Sequence, residues 1–282
     1  MSIVLVAAIW ASSFVLVKMA LVYTGPFTLG GIRYFLGFLL LLPGLYGCRK
    51  SLTVKALKRC ALIGFFQYVF GNGALFWALR TVSATVGSLT QSFTPVVVLG
   101  LERLFLREPF PGLTSAGVLL SVGGTVAFFV LGGKTAADWP GLGLLGLSLL
   151  GFTGMPILTR EAARDNTIPV LPLTALPLGI GGGALLLIGL ITEGLPCLPL
   201  KGWGLLLFLA GVNTALAYFL YTQALRYITA TEASVILNFS PIGTALLAAA
   251  ILGERIALPQ SVALVAALGG VGLALLGKRL SS

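Results

Sequence analysis

The sequence predicts an all-α integral membrane protein, with ten transmembrane helices arranged as two inverted five-helix repeats. Three observations lead there. The 282 residues are 57% hydrophobic and 9% charged, with a mean hydropathy of +1.04, a composition that a water-facing surface could not carry. The apolar residues form long continuous runs rather than alternating, which selects helices of about 20 residues over a closed barrel. Finally, the stretch from Ala78 to Gly124 recurs without gaps from Ala224 to Gly270. Ala78, Leu79, Arg80, Ala84, Thr85, Ser88, Phe93, Pro95, Leu101, Leu106, Glu108, Ser115, Gly123 and Gly124 each meet the same residue 146 positions later.

Ten apolar runs follow in order. The first, residues 3–21, starts almost at Met1 with no basic region before it and no small-residue cleavage signal, so it is expected to be a span rather than a removed signal peptide. The turn Tyr23-Thr24-Gly25-Pro26 separates it from the second, 27–46. The third and fourth, 57–79 and 84–105, flank the short Arg80–Ser83 connector, and the fifth covers 113–131. The sixth and seventh, 141–158 and 168–191, precede the proline-bearing connector Leu195-Pro196-Cys197-Leu198-Pro199. The eighth to tenth, 203–225, 230–252 and 258–276, complete the second copy. Connectors this short leave no room for a soluble domain, so the chain divides into a first repeat at 1–135 and a second at 136–282.

Five spans per copy is an odd number, so the second copy enters the membrane with opposite orientation. Such a repeat has two near-equivalent arrangements, open to one face or the other, and its binding site lies between the copies. With the N-terminus cytoplasmic, twelve loop basic residues fall inside (Arg49, Lys50, Lys55, Lys58, Arg59, Arg103, Arg107, Arg160, Arg164, Arg226, Lys278, Arg279) and four outside (Arg80, Lys134, Lys201, Arg255). That bias predicts a multi-pass plasma (inner) membrane protein with both termini cytoplasmic. The net charge of +10 is thus a topology signal with a contribution from anionic headgroups, and predicts no nucleic-acid partner.

Several chemistries are disfavoured. Cys48, Cys60 and Cys197 are isolated and odd in number, and there is no histidine. Neither a disulfide framework nor a metal site is expected, and no cofactor is implied. A lipid-modifying enzyme would need a nucleophile, base or metal cluster that the sequence does not offer.

Polar residues inside spans are costly in lipid and either line a cavity or pair with another helix. The third and eighth spans supply corresponding candidates: Gln67 with Asn213, Tyr68 with Thr214, Asn72 with Tyr218 and Trp77 with Gln223. The fourth carries Ser88, Gln91, Ser92 and Pro95, and the ninth Ser234, Asn238, Ser240 and Pro241. Spacings of three and four put Ser88, Ser92 and Pro95 on one helical face, and likewise Ser234, Asn238 and Pro241. Each proline leaves a carbonyl one turn earlier without its usual donor, so Pro95 and Pro241 are candidate hinges. For each hydroxyl the alternative is a bond to its own backbone or a neighbouring helix. Trp10, Trp77, Tyr218 and Tyr221 form either an aromatic wall or an interfacial belt.

Of the charges in or near spans, Arg33 lies about two turns inside the second span and is expected to face protein or a vestibule, while Lys18 either snorkels or joins it. Glu232 lies beside Arg226, where a local ion pair is the alternative to a site role. Glu108 and Glu254 precede helices and are expected to stabilise their N-termini.

The order Trp10-Ala11-Ser12-Ser13-Phe14, Lys18, Arg33, Ala78-Leu79, Ser83-Ala84, Pro95 and Glu108, repeated through Pro241, Leu252-Gly253-Glu254-Arg255 and Gly269-Gly270, resembles the EamA-type members of the drug/metabolite transporter superfamily. The resemblance covers essentially the whole chain. It departs at Ala11, where the family often has glycine, and at Arg107-Glu108, where Gly-Glu is usual. It implies a basket in which spans one to four and six to nine surround a central cavity, with five and ten peripheral. It also implies export of small organic solutes. Mapped here, the cavity would be lined by Trp10, Ser13, Gln67, Asn72, Gln91, Ser92, Asn213, Tyr218 and Asn238. Unlike the small multidrug resistance relatives, the first span holds no acid, so Arg33 joins the substrate-binding set and points to an amino acid or related zwitterionic or anionic metabolite. A cationic drug exporter and a lipid-carrier flippase are the alternatives. The expected partners are a small-molecule solute and the lipid bilayer, and two complete repeats make a monomer sufficient.

Overall fold

The computed structural model describes residues 2–98, 112–131, 138–164, 168–237, 240–253 and 257–281. Among these residues the chain is helical throughout, with no strands, and its helical segments fall into ten groups. We number them α1 (Ser2–Ala20), α2 (Pro26–Leu45), α3 (Val54–Ala78), α4 (Ala84–Thr90 with its continuation to residue 98), α5 (Gly112–Leu131), α6 (Trp139–Arg164), α7 (Val170–Thr192), α8 (Leu200–Ala224), α9 (Ala230–Leu237 and Ser240–Leu252) and α10 (Leu258–Ser281). Six are individually long and apolar enough to cross a membrane: α1, α2, α3, α6, α7 and α8. In α5, α9 and α10 the apolar stretches are shorter among the described residues, at Gly112–Phe128, Gly243–Leu252 and Leu258–Ala274.

Helix starts are set by polar groups that hydropathy does not register. Thr53 caps α3, accepting from the Ala56 amide at 3.1 Å, so α3 begins before the apolar run and takes in Lys55, Lys58 and Arg59. Asp138 Oδ1 accepts from the Gly141 amide at 3.0 Å and from Thr81 Oγ1 at 2.8 Å, which starts α6 and ties it to the α3–α4 turn. Thr229 and Glu232 form a reciprocal capping box at the start of α9. The Glu232 carboxylate is therefore used on a backbone amide. Glu193, at the end of α7, accepts from the Phe27 and Thr28 amides at 3.0 and 2.8 Å and so caps α2 from another helix. Glu108 and Glu254 lie outside the described residues.

Two departures from regular helix recur at one repeat position. α3 widens to a π-helix over Phe65–Gly73 and α8 over Gly211–Leu216, and their first residues are 146 positions apart. The fourth span tightens at Gln91–Phe93, where the Thr94 amide donates to the Gln91 carbonyl. Proline supplies no N–H at position 95, so the carbonyl one turn earlier takes a shorter-range donor instead.

Helices pack in antiparallel pairs at close range. In α2 and α7, a Cβ on Gly31 would fall 2.3 Å from Leu186 Cα. In α5 and α10, a Cβ on Gly124 would lie 2.4 Å from the Ala267 amide nitrogen, and one on Gly270 2.3 Å from that of Ser121. Small residues permit this approach, which is how helices associate where no hydrophobic drive exists between them. The outer rim is apolar: Leu119, Val130, Leu187, Ile191, Val262 and Val265 are all exposed, as a lipid-facing surface requires.

Candidate functional site

A central cavity, with room of about 140 Å³ for water-sized molecules, is lined by seven helices. Trp10, Ser13, Phe14 and Val17 come from α1, Arg33 from α2, and Gln67, Asn72, Leu75, Phe76 and Leu79 from α3. The fourth span gives Ser88, Gln91 and Thr94; α6 gives Phe152, Met155 and Pro156; α8 gives Tyr218 and Tyr221; α9 gives Ser234, Leu237, Ser240 and Pro241. Among the described residues neither α5 nor α10 contributes to the lining, and nor does α7, which departs from the expected ring of spans one to four and six to nine because it packs closely behind α2 and α3.

The lining is built from matched positions. Trp10 and Pro156, Asn72 and Tyr218, Leu75 and Tyr221, Ser88 and Ser234, Gln91 and Leu237, and Thr94 and Ser240 all face the cavity, and each pair is separated by 146 residues. Both copies thus present the same helical faces to one space. They differ in chemistry: the first copy offers amides where the second offers rings or aliphatic groups.

Arg33 is the one charged residue among the described lining residues and is 2% exposed. Its Nε donates to Thr214 Oγ1 at 2.7 Å and Nη2 to the Asn213 carbonyl at 3.1 Å. The guanidinium carbon stands 5.3 Å from the Tyr34 ring centre and 5.8 Å from that of Phe76. Among the described residues no carboxylate pairs with it. A buried cation held only by neutral acceptors and ring faces retains most of its attraction for an anion.

An aromatic wall stands beside it. Trp10 lies 5.0 Å from Tyr218 and 5.3 Å from Tyr221 between ring centres, and its Nε1 donates to the same Asn213 carbonyl at 3.2 Å. Gln67 Nε2 donates to Tyr218 Oη at 3.1 Å, which leaves the buried Gln67 Oε1 without a donor. Asn72 Nδ2 returns to the Gln67 carbonyl at 2.8 Å across the π turn. Gln91 Oε1 is likewise buried without a donor, while its Nε2 reaches Ser148 Oγ at 3.3 Å. The lining therefore carries one cation and a ring face, and two of its amide side chains, Gln67 and Gln91, keep a buried oxygen without a donor.

Of the residues expected from sequence to bind substrate, Trp10, Ser13, Arg33, Gln67, Asn72, Gln91 and Tyr218 come together here. Asn213 does not reach the cavity: its Nδ2 donates to the Ile9 carbonyl at 2.7 Å and to Ser12 Oγ at 3.0 Å, bolting α8 to α1. Ser92 faces a separate crevice against Ser121, Leu264 and Ala267 toward α5 and α10. Asn238 lies outside the described residues. Of the two hinge candidates, Pro241 lines the cavity and Pro95 is buried away from it. Lys18 is also not a lining residue; its Nζ donates to the Val82 carbonyl at 2.5 Å and holds the α3–α4 turn to α1. Trp77 is exposed and packs on Phe27, ring centres 4.9 Å apart. The family resemblance implies that the sixth span borders the cavity, but the residues it contributes, Phe152, Met155 and Pro156, carry no polar signal in the sequence.

Multi-pass helices around a cavity lined from both copies form the architecture of a membrane transporter. Residues 1–130 and 139–276 match the EamA-like transporter family, and the chain belongs to that family. The Bacillus subtilis (strain 168) uncharacterized transporter YyaM is 25% identical over 273 residues, 92% of this chain and 88% of that protein. An S-adenosylmethionine/S-adenosylhomocysteine transporter of Chlamydia trachomatis serovar L2 is 25% identical over 263 residues, 88% and 80% of the two chains. The uncharacterized inner membrane transporter YedA of Escherichia coli K12 is 24% identical over 277 residues, 96% and 89%. A crystal structure only 17% identical shares the fold over 99% of this chain and 98% of its own, with a TM-score of 0.75.

Proposed function

We propose that this transporter exports small zwitterionic or anionic organic solutes across the inner membrane by alternating access. Both termini lie in the cytoplasm in this reading, and the repeats 1–135 and 136–282 exchange roles as the cavity opens to one face and then the other. One observation carries the substrate class: the buried Arg33 guanidinium in the cavity has neutral hydrogen-bond partners and no carboxylate among the described residues. A carboxylate on the solute supplies the missing charge, and N–H donors on it suit the unmatched oxygens of Gln67 and Gln91. The absence of an acidic residue from the described lining weighs against a cationic drug.

The ring face of Trp10, Tyr218 and Tyr221 beside Arg33 suits a carboxylate-bearing solute with a flat group. The Chlamydia relative's named substrates have that form, which makes the zwitterion S-adenosylhomocysteine the first solute to test, beside a panel of amino acids and S-adenosylmethionine, whose added sulfonium charge has no acidic partner in the described lining. In proteoliposomes, Arg33→Ala is expected to reduce transport of the carboxylate-bearing solute at least tenfold, the scale of one charge-assisted hydrogen bond of about 1.5–3 kcal/mol. Unaltered transport by Arg33→Ala would remove the basis of this reading.

A further inference from the structure

Arg33 has no counterpart in the second copy. At the 146-residue offset Pro26 meets Pro172 and Thr28 meets Thr174, which holds the register, and Arg33 then meets Gly179. The receiving position changes in step. Thr214 accepts from Arg33 Nε, whereas its first-copy counterpart, Tyr68, lies against Gly181, where an added Cβ would come 2.9 Å from the Tyr68 ring. The π-helical turn is common to both copies, but it holds a guanidinium only in the second.

That turn explains how a helix interior can act as an acceptor. A π turn displaces carbonyls from the regular ladder, and the Asn213 carbonyl accepts from both Trp10 Nε1 and Arg33 Nη2. With Nε on Thr214, two of the three guanidinium nitrogens are fixed. Nη1 carries no hydrogen bond among the described residues, and Arg33 faces the cavity. Thr214 itself is fully buried and is not a lining residue, so any effect it has on a solute passes through Arg33.

We propose that Thr214 is the positioning residue of the anion site: its hydroxyl fixes the guanidinium plane so that the unbonded edge meets the solute, and so sets the preference for carboxylate over an uncharged group of the same shape. This rests on the reading of Arg33 as the anion site. A fork left free to rotate would lose the advantage of a preorganised donor pair. The Thr214 methyl packs where a Cβ on Gly37 would lie, 2.7 Å away, so Thr214→Val keeps that packing and removes only the hydroxyl.

The test uses the purified full-length protein at matched ionic strength, with sodium benzoate as the anionic probe and benzamide as its neutral counterpart. Ligand affinity is read from thermal unfolding. The wild type is expected to be stabilised by benzoate in preference to benzamide, and Thr214→Ser to behave alike. Thr214→Val, with Thr214→Ala as a second variant in case Val does not fold, should weaken benzoate binding roughly tenfold and leave benzamide unchanged. If Arg33→Ala abolishes the preference while both Thr214 variants bind benzoate as tightly as wild type or tighter, the role of Thr214 is overturned and the anion site stands. If the wild type shows no preference for benzoate, the anion-site reading fails and takes this inference with it.

Discussion

At the scale of single residues, burial separates groups that hold the protein together from groups left available to a solute. Asn213 and Gln67 occupy the same repeat position, and the sequence makes both equal candidates for cavity amides. Asn213 spends its Nδ2 on Ile9 and Ser12 and its backbone carbonyl on Trp10 and Arg33, and lies off the cavity that Gln67 lines; each side chain keeps one buried oxygen without a donor. Asn213→Ala is accordingly expected to destabilise the protein, by about 1–3 kcal/mol for the buried partners it strands, seen as a lowered midpoint of thermal unfolding without ligand. Arg33 was legible because a charge that deep in a span is rare. Its acceptors were not, since a free backbone carbonyl on a π turn leaves no mark in the letters. Lys18 shows the same limit: its charge was plain, but that it would hold the Val82 carbonyl depends on how the α3–α4 turn folds back.

At the scale of elements, the apolar runs located the helices because lipid demands continuous apolar length, but their ends answer to caps. Thr53, Asp138 and Glu193 set the starts of α3, α6 and α2 through named hydrogen bonds, and Glu193 does so from a helix far away in sequence. The irregular turns were only partly legible. Pro95 announces the 3-10 turn over Gln91–Phe93, and Asn72 between Gly71 and Gly73 marks a place where α3 could pack closely or loosen, within its π-helix; nothing comparable marks the π-helix of α8. Helix pairing was legible only as an abundance of glycine. Where α2 meets α7, Gly31→Val would drive side-chain atoms into Leu186 backbone. Overpacking of this kind costs about 1–3 kcal/mol or more; the measurable outcome is a lower thermal midpoint and reduced yield of monodisperse protein, whatever solute is present.

For the whole molecule, the duplication of Ala78–Gly124 becomes a cavity with matched walls. Six pairs of lining residues at one offset give the two halves the same relation to the central space, while Arg33 and its acceptors break the match where a solute would bind. Ala84, at the start of the fourth span, packs with Val15 and Ala248, whereas Ser240, nearer the start of α9, donates to the Ala7 carbonyl toward the other end of α1; in the proposed alternating-access cycle the lining residues Ser88 and Ser234 are therefore placed toward opposite ends of that space. The most direct test is the accessibility of single cysteines, Ser88→Cys and Ser234→Cys, in a background lacking Cys48, Cys60 and Cys197. Membrane-impermeant thiol reagents would be applied from each face, with and without a transported solute. Alternating access predicts that each cysteine is reached from its own face and that any condition raising labelling at one lowers it at the other. Labelling of both from the same face, rising and falling together, would contradict it.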